Sequence, residues 1–94
     1  MTDRLLTEVS ATTDRGADVV AAFRALLEKP LPDGLLRTQL LEGSGGMWRI
    51  QSLWRDQAAL DAMRAGSEPP AAPLLFRNLD AEPTLTIFHV REEH

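Results

Sequence analysis

The sequence predicts an α+β fold in which four strands and two helices follow one another as βαββαβ. Three observations predict it. Segments with alternating or β-branched patterning begin and end the chain. Two segments with apolar residues at helical spacing interrupt them. A glycine-rich link, Gly43-Ser44-Gly45-Gly46, joins the middle pair of strands as a hairpin. In one small domain this order makes a ferredoxin-like sandwich, an antiparallel sheet with both helices on one face. At 94 residues the chain is expected to form one domain, 1–94.

Arg4 to Thr12 reads as the first strand, with Leu5, Val9 and Ala11 on one face. Asp14 is the expected N-cap of the first helix, and Asp18 in its first turn suits the helix dipole. Val20, Phe23 and Leu27 form the expected apolar stripe, widened by Val19 and Leu26. Pro30 and Pro32 end that helix, and Asp33-Gly34 marks a turn. Leu35 to Glu42 and Met47 to Arg55 are the hairpin strands. Their register stays open, because a slip of one residue changes which side chains share a face with Trp48 and Ile50. Asp56 caps a second helix over 57–65, anchored by Leu60 and Met63 and closed by Gly66 at C′. After an irregular, proline-rich start, Leu74 to Leu79 is expected to add a short helix. Thr84 to Val90 is the last strand, and Arg91 to His94 is a charged tail.

Composition excludes several chemistries. There is no cysteine, so disulfides, thiolate catalysis and Cys-ligated zinc are impossible. The net charge of −4 gives no electrostatic footprint for nucleic acid. No apolar run is long enough for a membrane span or a signal peptide, so a cytoplasmic protein without a membrane partner is expected. An RNA-recognition sheet would need an aromatic residue on the first strand, which has none. No phosphate-binding loop, dinucleotide fingerprint or serine-centred elbow occurs.

The strands carry apolar residues at both parities: Leu5 and Leu6, Leu40 and Leu41, Ile87 and Phe88. A sheet with one solvated face alternates more cleanly. The expectation is a homodimer joined through the open sheet faces.

The run from Trp48 to Met63, with a strand ending in Trp54, a helix start at Asp56 and an alanine- and leucine-rich helix through Leu60, resembles the antibiotic biosynthesis monooxygenase domains. The element order and the chain length are similar as well. The resemblance implies a dimeric α+β barrel, two sheets packed face to face. It also implies catalysis without a cofactor. The chain departs from the family pattern at specific points. Met63 stands where many members, including the haem-degrading branch, have a histidine. The first strand lacks the asparagine of that branch, and the chain has no tyrosine, which the quinone-forming branch uses.

Against this frame the candidate residues are few. Trp48 and Trp54, six apart, share one strand face, and either can stack on a flat substrate. Phe23, Met63 and Phe76 are expected to border one apolar cavity with Trp54 beneath the helices. His89, the one histidine away from the terminus, is the candidate general base. Asn78 is the candidate donor to a substrate carbonyl or peroxy group, and Arg37 and Arg49 are expected on neighbouring strands. His89 and His94 have opposite parity and make no metal pair on one strand face, and no metal site is expected. No cofactor is expected either, in keeping with the cofactor-independent chemistry below. The function expected is a cofactor-independent monooxygenase acting on an aromatic or polycyclic small molecule. The alternative is a non-catalytic binding or accessory domain on the same scaffold, with haem binding a weaker third.

Overall fold

The computed structural model describes residues 3–93. His94 lies outside the described residues, so the expectation attached to it goes no further. Strands β1 (Leu5–Thr12), β2 (Leu35–Glu42), β3 (Met47–Trp54) and β4 (Thr84–His89) form one antiparallel sheet in the order β2-β3-β1-β4. Helices α1 (Gly16–Leu27), α2 (Gln57–Arg64) and α3 (Ala71–Arg77) complete the chain. This is the α+β, ferredoxin-like arrangement expected from the sequence, with the short third helix inserted before β4. No described helix is long and apolar enough to cross a membrane.

The register settles which side chains share a face. Leu5, Thr7, Val9 and Ala11 of β1 stand opposite Trp54, Ser52, Ile50 and Trp48 of β3, and all eight are buried. Leu40 pairs with Ile50, so it lies on this same, helix-covered face. The open face carries the other parity. There Leu6 stands between Leu53 and Phe88, and Glu8 between Gln51 and Thr86. A register shift between Leu35 and Arg37 turns Leu36 outward, where it is 48% exposed. The hairpin link forms a single 3-10 turn over Ser44–Gly46, with Gly45 and Gly46 at φ 69° and 76°.

Several local expectations are corrected. Asp14 does not cap α1; the N-cap is Arg15, whose backbone N–H reaches Thr13 Oγ1 at 3.1 Å. The helix begins at Gly16, which is pressed on Trp48: a Cβ there would stand 2.9 Å from the indole Cζ2. The helix stripe centres on Val19 and Phe23, with Leu26 partly buried, while Leu27 is exposed. Helix α2 keeps its expected cap, with Asp56 Oδ1 accepting from the Ala59 N–H at 2.8 Å. It ends at Arg64 with Ala65 as C-cap in right-handed conformation, so Gly66 supplies no left-handed turn. The extra helix starts three residues earlier than expected. Pro73 fits its first turn, where a missing N–H breaks no helical hydrogen bond.

The core splits into two parts. Val9, Ala11, Val19, Phe23, Trp48, Ile50, Leu75, Phe76 and Ala81 form the larger cluster. Leu5, Trp54, Ala59 and Leu60 form the smaller, with Met63 and Leu35 packed against it. Helix α1 packs on α3, and α3 on β1, whereas α2 packs on β3.

Candidate functional site

The expected cavity bordered jointly by Trp54, Phe23, Met63 and Phe76 is not what the fold builds. Phe23 and Phe76 lie with Trp48 in the larger cluster, and Trp54 and Met63 lie in the smaller one. The cause is the length of β3. Six residues separate Trp48 from Trp54, about 20 Å of strand at 3.3–3.4 Å per residue. The two indoles share a face but sit under different helices.

Between the clusters runs a row of hydroxyls. Thr38, Ser52 and Thr7 are cross-strand neighbours on β2, β3 and β1. Thr7 and Ser52 are each 8% exposed and Thr38 is partly buried. Trp54 Nε1 donates to Thr7 Oγ1 at 3.0 Å, and Thr7 Oγ1 lies 3.5 Å from the Ser52 carbonyl oxygen. The Thr38 and Ser52 hydroxyls are 3.0 Å apart, and either can donate. The sequence reading passed over these three residues. The signal was present: Thr7 interrupts the Leu5, Val9, Ala11 face, and Ser52 interrupts the Trp48, Ile50, Trp54 face.

His89 and Asn78 are not brought together. His89 pairs with Leu5, which pairs with Trp54, so the three form one cross-strand row on the same face. Two strand spacings put His89 about 10 Å from Trp54. Asn78 is the C-cap of α3, with its N–H on the Leu74 carbonyl at 2.9 Å. The chain runs from there through Ala81, in the larger cluster, to Thr84 at the far end of β4. That end lies about 17 Å of strand from His89. Both residues are exposed. Arg37 and Arg49 lie on the open face. Arg49 Nη1 donates to Glu8 Oε1 at 3.2 Å, and Gln51 Nε2 donates to the same oxygen at 2.9 Å. On that face Ser10, Thr12, Met47, Glu82 and Thr84, together with Ala11, line a shallow cleft of about 290 Å³.

Neither a family model nor a curated protein sequence matches the chain. Solved structures do. A candidate antibiotic biosynthesis monooxygenase from Caulobacter crescentus superposes with a TM-score of 0.74 at 16% identity, over 97% of this chain and 92% of that one. SnoaB, a cofactor-independent oxygenase from Streptomyces nogalater, gives 0.70 at 17% identity, over 97% and 96%. A second candidate antibiotic biosynthesis monooxygenase, from Deinococcus radiodurans, gives 0.71 at 14%, over 96% and 95%. At these identities the likeness establishes a shared α+β fold along nearly the whole chain. Shared fold alone does not carry chemistry.

Proposed function

We propose that this protein is a cofactor-independent monooxygenase acting on an aromatic or polycyclic small molecule. One observation carries the reading. Trp54 is buried on the helix-covered face of the sheet and hydrogen-bonded to the buried Thr7 hydroxyl, in a fold similar to that of SnoaB, a cofactor-independent oxygenase, and this supports the reading. In this reaction class the ionised substrate supplies the electrons that reduce oxygen. One oxygen atom enters the product as a carbonyl and the other leaves as water. The protein binds the ring system, excludes water and handles a proton. In this reading Trp54 stacks on the substrate and His89, on the same row, accepts the proton.

The separation of His89 from Asn78 favours a second reading, a binding or accessory domain without turnover. The two readings predict different mutant kinetics. For the oxygenase, Trp54→Ala raises KM and His89→Ala lowers kcat by roughly 100-fold, the usual contribution of a positioned proton acceptor. Steady-state oxygen uptake with anthrone-like and naphthol-like substrates measures both. For the binding domain, ligand binds without oxygen uptake, weakens in Trp54→Ala, and is indifferent to His89→Ala.

The same reading makes the protein a homodimer joined through the open sheet faces. Leu41, Met47 and Phe88 are 37%, 39% and 46% exposed on that face, which supports the pairing. A cytoplasmic setting accords with a chain that uses no cysteine.

A further inference from the structure

We infer that the outer edge of β4 is a docking surface for the same edge of a second copy of this chain, paired antiparallel about Ile87 so that the sheet runs on from one copy into the other. This edge is separate from the open face of the proposed dimer, and its pairing goes beyond that reading.

The sheet ends in β2 on one side and β4 on the other, and the two edges are built differently. β2 carries Arg37 and Glu42, and its register is broken between Leu35 and Arg37. Charges and irregular pairing are common means of keeping a strand edge from pairing with another chain. β4 has neither. Thr84–His89 contains no Lys, Arg, Asp, Glu or Pro, and its register on β1 runs unbroken from Leu5↔His89 to Ser10↔Thr84. Every residue of the strand is exposed. Leu85 and Ile87 are 45% and 36% exposed, although their β1 partners Val9 and Thr7 are buried on the same side. The helices cover β1 and leave β4 bare.

Hydrogen-bond direction defines what the edge presents. The Val90 N–H donates to the Arg4 carbonyl at 2.9 Å, one step beyond the Leu5–His89 pair. Backbone groups alternate in direction along an antiparallel strand. Thr84, Thr86 and Phe88 therefore face β1, as Val90 does, whereas Leu85, Ile87 and His89 turn their N–H and C=O groups outward. A second β4 matches these groups by two-fold symmetry. With Ile87 opposite Ile87, Leu85 of each copy stands opposite His89 of the other, and these pairs exchange about six hydrogen bonds. The same register lays Ile87 beside Ile87, and Leu85 beside the His89 ring, on the helix side. It covers the side chains that the helices leave bare, so the strand is its own complement in backbone and in side chains. Area sets the strength. One six-residue strand per copy buries less than the roughly 800 Å² per partner of a stable complex, so this pairing belongs to high concentration.

Amide hydrogen exchange of the full chain, read by NMR at about 50 μM and about 1 mM, tests the pairing over the range in which so small an interface populates. The Leu85, Ile87 and His89 amides should exchange slower by about tenfold or more at the higher concentration, while Thr86 and Phe88, bonded to β1, are protected at both. Sedimentation over the same range should show the mean mass rising. Ile87→Pro removes an outward N–H and no bond to β1, so the fold is kept and both effects should vanish. Should near-ultraviolet circular dichroism show Ile87→Pro unfolded, Ile87→Lys places a charge on the edge and decides in its place. Leu53→Glu charges the open face two strands away. It should weaken the face-to-face dimer and leave the concentration-dependent protection of β4, which keeps the two interfaces distinguishable. Equal exchange of the outward amides at both concentrations overturns the pairing with a second copy and leaves the edge to an extended segment of another protein. A folded Ile87→Pro that associates as the wild type does overturns it as well.

Discussion

Trp54 joins three roles in one side chain. Its ring fills the smaller core cluster with Leu5 and Leu60, and its N–H is used on Thr7. Its position at the end of β3 also brings it into a row with His89. Trp54→Phe keeps an aromatic ring and removes the N–H and part of the volume. It should destabilise the fold by about 1–2 kcal/mol, read from the urea midpoint at unchanged m. Trp54→Ala removes most of the ring contact and should cost about 3–5 kcal/mol. His89 is exposed on an edge strand, so His89→Ala should leave the midpoint within about 0.5 kcal/mol. A loss of turnover in that variant then reports chemistry rather than folding. Residues of this kind were legible in the sequence only one at a time. Tryptophan and histidine announce themselves by rarity, whereas Thr7, Ser52 and Thr38 are ordinary strand residues until the register lines them up.

The elements hold by short local devices. Asp56 satisfies an orphan N–H at the start of α2, and Asp56→Ala should destabilise the protein by about 1 kcal/mol. Gly34 is the more severe position. Its φ of 85° is left-handed, its carbonyl accepts from the Arg55 N–H at 2.8 Å, and a Cβ there would collide with the Ala59 Cβ. Gly34→Ala combines backbone strain with the separation of α2 from β2 and should destabilise more than Asp56→Ala, again read from urea midpoints. The strands and the α2 cap could be read in the sequence because alternation and capping are local. The start of α1 could not, because the close approach of Gly16 to Trp48, more than thirty residues away, leaves no local pattern in the sequence. For the same reason the single cavity expected around Trp54, Phe23, Met63 and Phe76 proved to be two clusters. Whether side chains from four elements meet depends on helix placement, which periodicity does not encode.

At the scale of the whole molecule the helices cover one face of the sheet over β1 and β3, while Leu85 and Ile87 of β4 on that same side stay 45% and 36% exposed, and the other face is open. The open face is not uniformly apolar. Leu6, Leu53 and Phe88 form an apolar row, and beside it Glu8 receives Arg49 and Gln51, with Gln39 donating to Gln51 at 3.0 Å. Pairing two such faces would bury the apolar row and leave the polar group to fix the register. Sedimentation at tens of micromolar should therefore show a dimer, and Phe88→Glu should shift it toward monomer. A wild-type monomer at that concentration would contradict the face-to-face pairing. The central claim is that the chain performs oxygen chemistry by itself, and oxygen-isotope labelling tests it most directly. The purified protein is dialysed against a chelator, freed of flavin and nicotinamide, and supplied with an anthrone-like substrate under ¹⁸O₂. The account predicts oxygen uptake above the uncatalysed rate, with one labelled oxygen atom in the quinone product and the other in water. Tight binding of the substrate without uptake, or uptake restored only by an added metal or flavin, would contradict it.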